Sequence, residues 1–338
     1  MDHQKRSLRI GAAVILCGIF FRLLSSGVLR PTALELPELA SFLLYLETGR
    51  VVHGTEPAAT TPPTVPETTA GPTVPATDPP QTLPPVERPG FTTADAGLIS
   101  LRDHCNYQPD LASLLERPLD WDLTGEAPTV LILHTHTTES YTPAPGENYQ
   151  EAGEYRTLDE NFNMISVGDR LAEILEAGGI AVLHDRKLHD YPSYNGSYED
   201  SRASIAEFLK EYPSIRLVLD LHRDAADDGY GGQMDTRATV NGVESAQLML
   251  VVGTDAGGLT HPNWRENLAL AAKLQVWLEK QWPGLCRPIS FRSQRFNQDQ
   301  SPGALLVEVG AAGNTRQEAL TAAEALAKAI LALSRGSE

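Results

Sequence analysis

From Pro128 onward the chain alternates short runs of branched apolar residues with longer amphipathic stretches. "TVLILH", "IAVLHD", "IRLVLDLH", "QLMLVVG" and "GALLVEVG" have the length and composition of buried strands. Between and after them lie "NFNMISVGDRLAEILEAGG", "YEDSRASIAEFLKEYP", "NWRENLALAAKLQVWLEKQWPG" and "TRQEALTAAEALAKAILALSRG". Their apolar positions recur at helical spacing, and glycine or proline stops them. Apolar strands separated by helices predict an α/β domain over residues 128–335, with a mostly parallel central sheet flanked by helices. Residues 92–127, including "ADAGLISLRDHCNYQPDLASLLERPLDW", read as a helical lead-in to it.

The N-terminal pattern is different. Lys5, Arg6 and Arg9 precede an apolar run from Ile10 to Leu29, long enough to cross a bilayer as a helix. A cleaved signal peptide shares the basic start and the apolar middle, but the run is long for one. Residues 1–32 are therefore read as a cytoplasmic tail and an uncleaved transmembrane anchor. Arg22, near the end of the run, can snorkel to the interface. The preceding cations place everything after the span outside the membrane. In residues 33–53, Leu36, Leu39, Leu43 and Leu46 mark a short amphipathic juxtamembrane helix, lying on lipid or against a partner's span. Residues 54–91 are almost entirely Thr, Pro, Ala, Glu and Gly, too poor in apolar area to fold. They predict a disordered linker stiffened by proline, with a reach on the order of 100 Å. Such an arm suits a target away from the membrane.

Composition narrows the partners. A net charge of -17 over 338 residues argues against nucleic acid or an anionic membrane surface as ligand. Three cysteines, one of them in the apolar run, exclude a disulfide framework, and no CxxC pair suggests a thiolate metal site. Whether Cys105 and Cys286 pair does not follow from their spacing.

Working sites of open α/β sheets lie outside the carboxyl ends of the strands. Here the first strand ends in His134 and His136, with Glu139 just beyond. The third ends in Asp220 and His222, followed by Arg223 and Asp224, and the fifth carries Glu308. Two histidines and a carboxylate are the donors expected of a catalytic zinc, and a further glutamate can serve as the base. Each residue also has a plainer role. His134 can bond to backbone, and His222 alone could be a satisfied core histidine. Glu308 differs, because a carboxylate inside an apolar strand is costly unless paired, protonated or near a metal. No G-x-S-x-G elbow, G-x-G-x-x-G loop or Walker A motif offers a competing chemistry.

"LILHTHTTESYTP", "NMISVGDRLAEILEAGGIAVLHD", "YEDSRASI", "LVLDLHRDA", "FNQDQSPGALLVEVGAAGNT" and "EALTAAEALAKAI" together resemble the stage II sporulation protein P family, collinearly over residues 128–333. The resemblance implies a zinc-dependent N-acetylmuramoyl-L-alanine amidase fold and activity, with an endopeptidase activity on peptide cross-links also attributed to the family. It implies a membrane-anchored enzyme trimming peptidoglycan during forespore engulfment, with stage II sporulation proteins D and M as partners. Carried onto this chain, it makes His136 and His222 zinc ligands and Glu139 the third, with His134, Asp159 and Glu160 as alternates. Glu308 matches the glutamate that polarises water and protonates the leaving amine. Arg223 and Asp224 would position His222 or contact substrate, and Asn297 and Gln298 would line the groove for the stem peptide. Where the family usually has "EVGG" or "EFGG", this chain has "EVGA", ending at Ala311. Two rivals share the residues: a zinc endopeptidase acting on cross-links alone, and a wall-binding anchor without catalysis.

Overall fold

A computed structural model describes residues 90–119, 121–226 and 232–334. The expected span, the juxtamembrane helix and all but the end of the linker lie outside these residues. Among the described residues, no helix is long and apolar enough to cross a membrane.

The strands in chain order are β1 (Leu101–Asp103), β2 (Val130–Leu133), β3 (Glu151–Gly153), β4 (Arg156–Thr157), β5 (Val182–His184) and β6 (Leu217–Asp224), then β7 (Arg237–Val240), β8 (Val243–Ala246), β9 (Leu248–Gly253), β10 (Ile289–Arg292) and β11 (Ala304–Ala311). The α-helices are α1 (Leu111–Glu116), α2 (Met164–Ala177), α3 (Ser197–Glu211), α4 (Trp264–Gln281) and α5 (Arg316–Leu333). Local chemistry fixes their starts. Asn163 caps α2 by accepting from Ile165 N, and Thr315 with Glu318 closes a capping box on α5.

Seven strands form the central sheet in the order β1-β10-β9-β11-β6-β2-β5. Every neighbouring pair is parallel except β11 with β9. The sheet is thus two parallel blocks meeting at one antiparallel seam. The five predicted strands are all present, and two short ones join them. β1 comes from the lead-in, so residues 92–127 are not only helical: they supply the edge strand as well as α1 and a 3-10 turn at Thr93–Leu98. Two small hairpins, β3-β4 and β7-β8, stand outside the sheet.

Alternation along the strands sorts two cores. Val130 and Ile132 of β2, with Leu217, Leu219 and Leu221 of β6, face the larger cluster under α2, α4 and α5. Leu131, Leu133 and Val218 face a smaller one completed by Ile205, Phe208 and Leu209 of α3. Each buried aliphatic side chain contributes about 1.5–3 kcal/mol. Period-two alternation therefore puts Asp220, His222 and Glu308 on the α3 face, at its open end.

Candidate functional site

β2 stops at Leu133, and residues 135–138 form a buried turn beyond it. The threonines make that turn possible by satisfying groups that water cannot reach. Thr135 donates from N and Oγ1 to Asp220 (2.7 and 2.6 Å), and Thr138 does the same to Asp190 (3.1 and 2.7 Å). Thr137 Oγ1 donates to His134 O at 2.8 Å. The turn delivers His136 and Glu139 to the end of β6, where His222 lies in register with Glu308 of β11.

The rings of His136 and His222 are perpendicular with centroids 5.3 Å apart. His222 Nδ1 lies 3.5 Å from Glu139 Oε2, and its Nε2 lies 2.9 Å from Asp220 Oδ1. The second contact is close but lacks the alignment of a hydrogen bond, so Nε2 remains without a hydrogen-bond partner, as does Glu308 Oε2. Burial opposes a charge on His222, but Asp220 and Glu139 overcome it and raise its pKa well above the usual value. Burial likewise opposes ionisation of Glu139, yet Arg223 and His222 hold that carboxyl well below the carboxylate range. His136 is pushed down to about 4 by burial, partly offset by Glu139, and is neutral. Glu308 is half-buried in β11 with Oε2 out of reach of water, and it is pushed up to about 8, chiefly by burial of its carboxyl.

The remaining expected residues fall as follows. His134 is fully buried, with Nδ1 3.1 Å from Leu221 O and Nε2 2.8 Å from His184 Nε2, so both nitrogens are engaged away from the cluster. Asp159 and Glu160 lie on an exposed turn, where Asp159 accepts from Asn161 and Glu160 pairs with Arg186 at 2.6 Å. Neither joins the histidines, and the carboxylate that does is Glu139. Arg223 is turned to Glu139 rather than outward. It donates Nη1 to Oε1 (3.3 Å), Nε to Ser140 O (3.1 Å) and Nη2 to Tyr155 O (3.0 Å). Asp224 pairs with Arg287 at 2.8 Å. Gln298 does not line a groove, because its amide is spent on Gly253 N and Val251 O, both at 2.8 Å. Asn297 lines a cavity of about 390 Å³ beside the cluster. A larger cavity of about 490 Å³, between Trp121, Arg216 and Gly303, opens at the opposite ends of β6 and β11 and has no part in this site.

Several neighbours were not visible in the sequence pattern. Arg156 bridges Asp190 (2.5 Å) and Glu139 (3.4 Å). Tyr194 stacks on His136 with centroids 4.6 Å apart and a hydroxyl 3.2 Å from Nε2, while Ser197 Oγ is 3.4 Å from Nδ1. Both ring nitrogens of His136 are thus engaged. Among the described residues, no three His, Cys, Asp or Glu side chains stand gathered as a metal-ligand group. The donor chemistry still suits a cation. Two ligands of a tetrahedral zinc lie roughly 3.3 Å apart, close to the Glu139–His222 separation. Glu308 Oε2, buried with no hydrogen-bond partner, is an acceptor that a cation or its water could meet.

The fold and site define an α/β protein with a histidine–carboxylate cluster at the carboxyl ends of parallel strands. A family model for stage II sporulation protein P matches residues 81–331, and the chain belongs to that family. It is 31% identical over 216 residues to stage II sporulation protein P of Bacillus subtilis (strain 168), a match covering 60% of this chain and 50% of the relative. The chain thus spans about half the length of that curated relative. Among solved structures, the N-acetylmuramoyl-L-alanine amidase AmiC2 of Nostoc punctiforme is similar at 19% identity and TM-score 0.37, over 61% of this chain and 97% of that one. An N-acetylmuramoyl-L-alanine amidase from Clostridium difficile 630 gives 16% and 0.35, over 61% and 96%. Ami1 from Mycobacterium smegmatis gives 14% and 0.36, over 63% and 98%. Likeness at this level says nothing about the reaction.

Proposed function

We propose that this protein is a zinc-dependent peptidoglycan hydrolase of sporulation, cleaving the amide bond between the lactyl group of N-acetylmuramic acid and L-alanine. Family membership supports the setting, and one observation carries the chemistry: the half-buried Glu308 in register with His222, its Oε2 buried and without a hydrogen-bond partner. His136, His222 and Glu139 would hold the ion. When bound, zinc polarises the amide carbonyl and lowers the pKa of its water towards about 7.

The chain's own residues do the rest. Arg223 and Arg156 fix the Glu139 carboxylate, and Asp220 fixes His222. Glu308 takes the proton from the attacking water and returns it to the leaving amine. Burial raises its pKa, which makes the carboxylate a stronger base for the first transfer. We place the domain outside the membrane, anchored through residues 10–29, during forespore engulfment. A partnership with stage II sporulation proteins D and M rests on family membership alone.

The test is mass analysis of purified peptidoglycan digested by the zinc-loaded full chain and by Glu308→Gln. Free lactyl ends are expected from the wild type and not from the variant, which should still bind zinc. Cleavage confined to peptide cross-links would replace this reading with an endopeptidase. A fully active Glu308→Gln would remove Glu308 from the mechanism.

A further inference from the structure

The cavity of about 490 Å³ at the amino-terminal ends of β6 and β11 stands apart from the histidine–carboxylate cluster, and its lining is mainly apolar. Its floor is fixed. Trp121 Nε1 donates to Leu333 O at 3.1 Å, and the indole closes over Gly303, where an added Cβ would lie 3.2 Å from the ring. Pro118, Ala269 and Leu270 continue the apolar wall. At the mouth Arg117 pairs with Glu266 at 2.6 Å. Arg216, also at the mouth, is exposed and donates Nη1 to Pro213 O and Ile215 O (2.7 and 3.2 Å). It has no ion pair among the described residues.

The start of the described chain heads for this cavity. Asp95 pairs with Lys280 near the end of α4 at 2.8 Å, and the Phe91 ring lies 5.1 Å from Lys273 Nζ, two turns earlier in that helix. Traced backwards, the chain therefore runs along α4 towards Leu270, Ala269 and Glu266, which line the cavity. From Lys273 to Glu266 is about 10 Å of helix, which an extended chain at about 3 Å per residue covers in about three to four residues. Residues 81–89, outside the described part, read "QTLPPVERP", and the family match begins at 81. Pro84 and Pro85 favour polyproline II, a preformed shape that docks on aromatic walls at little cost in entropy. Glu87 supplies the acidic partner that Arg216 lacks.

We infer that residues 81–89 dock in this cavity, with Pro84, Pro85 and Val86 against Trp121 and Pro118 and with Glu87 paired to Arg216. The end of the proline-rich linker is then part of the domain. The free arm begins at the pole opposite the histidine–carboxylate cluster, so the cluster faces away from the root of its own tether. Docking is independent of the reaction proposed above.

The test is limited digestion of the full chain in detergent by a glutamate-specific endoprotease, with early fragments identified by mass. Cleavage after Glu87 should be at least about tenfold slower than in the free peptide 81–90, because the protease reads the undocked population. Arg216→Glu, and separately Pro118→Glu at an exposed position, should each speed that cut by about tenfold. Thermal unfolding identifies any variant that fails to fold. Cleavage after Glu87 as fast as in the peptide overturns the inference, and so does protection that persists in both folded variants. Protection that fades on dilution gives the cavity to a second copy of the chain and overturns the docking within one chain.

Discussion

Asp220 Oδ1 sits 2.9 Å from Nε2 of His222, two residues further along β6. The carboxylate cannot swing away, because Thr135 donates to both of its oxygens. It is therefore a fixed counter-charge at one edge of the imidazole, whose Nδ1 faces Glu139 on the other. Partners behind a ligating histidine typically govern metal affinity by about 10–100-fold. Asp220→Asn should weaken zinc binding to that degree in a competition titration against a chelator. Unchanged affinity would show that Asp220 has no hold on the ligand.

Arg223 is buried with its side chain shared between Glu139, Ser140 O and Tyr155 O. Truncation would strip a buried carboxylate of its main counter-charge, leaving Arg156 at 3.4 Å. Arg223→Met should cost about 3–5 kcal/mol in denaturant unfolding. Arg223→Lys should recover only part, since an ammonium cannot make the forked contacts.

Gly168 lies inside α2, where an alanine would ordinarily favour the helix by about 1 kcal/mol. Here an added Cβ would run into His184 Nε2 and lie 2.8 Å from His134 Nε2. Gly168→Ala should therefore destabilise by about 1–3 kcal/mol. In the background of His184→Ala the cost of the same change should fall without vanishing, because the contact with His134 remains, a coupling that a double-mutant cycle reads directly.

Lys273 is buried in α4, with Nζ donating to Leu114 O and Leu115 O at the end of α1. Burial lowers its pKa from 10.5 to about 8. Between those values the unfolded chain holds more protons than the folded one, so stability rises with pH across that window. Below about 8 both states are protonated and the contribution is constant. After discounting for solvent reach, the wild type should gain about 1 kcal/mol relative to Lys273→Met between the lower and upper ends of the window. Parallel stability profiles in urea titrations at the two ends would contradict this.

The β2 and β6 strands were legible because short runs rich in branched apolar residues, too short for a helix and flanked by breakers, have the length of buried strands. β1 and β10 were not, since three- and four-residue strands owe their form to pairing with neighbours. The reversal between β9 and β11 left no trace either, because strand direction is not written in side-chain pattern. Within the site, Glu308 announced itself as a carboxylate in an apolar strand. Gln298 misled for the converse reason: a polar residue in a loop can be wholly used by backbone.

By itself the sequence determined the α/β class, the strand ends that carry chemistry and the family, since these follow from local periodicity and contiguous motifs. Only the tertiary structure decided which carboxylate stands with the histidines. Glu139 meets Arg223, 84 positions away, whereas Asp159 and Glu160 turn to solvent. Burial and pairing among such distant groups fix charge states, and neither is contained in any one stretch of the chain.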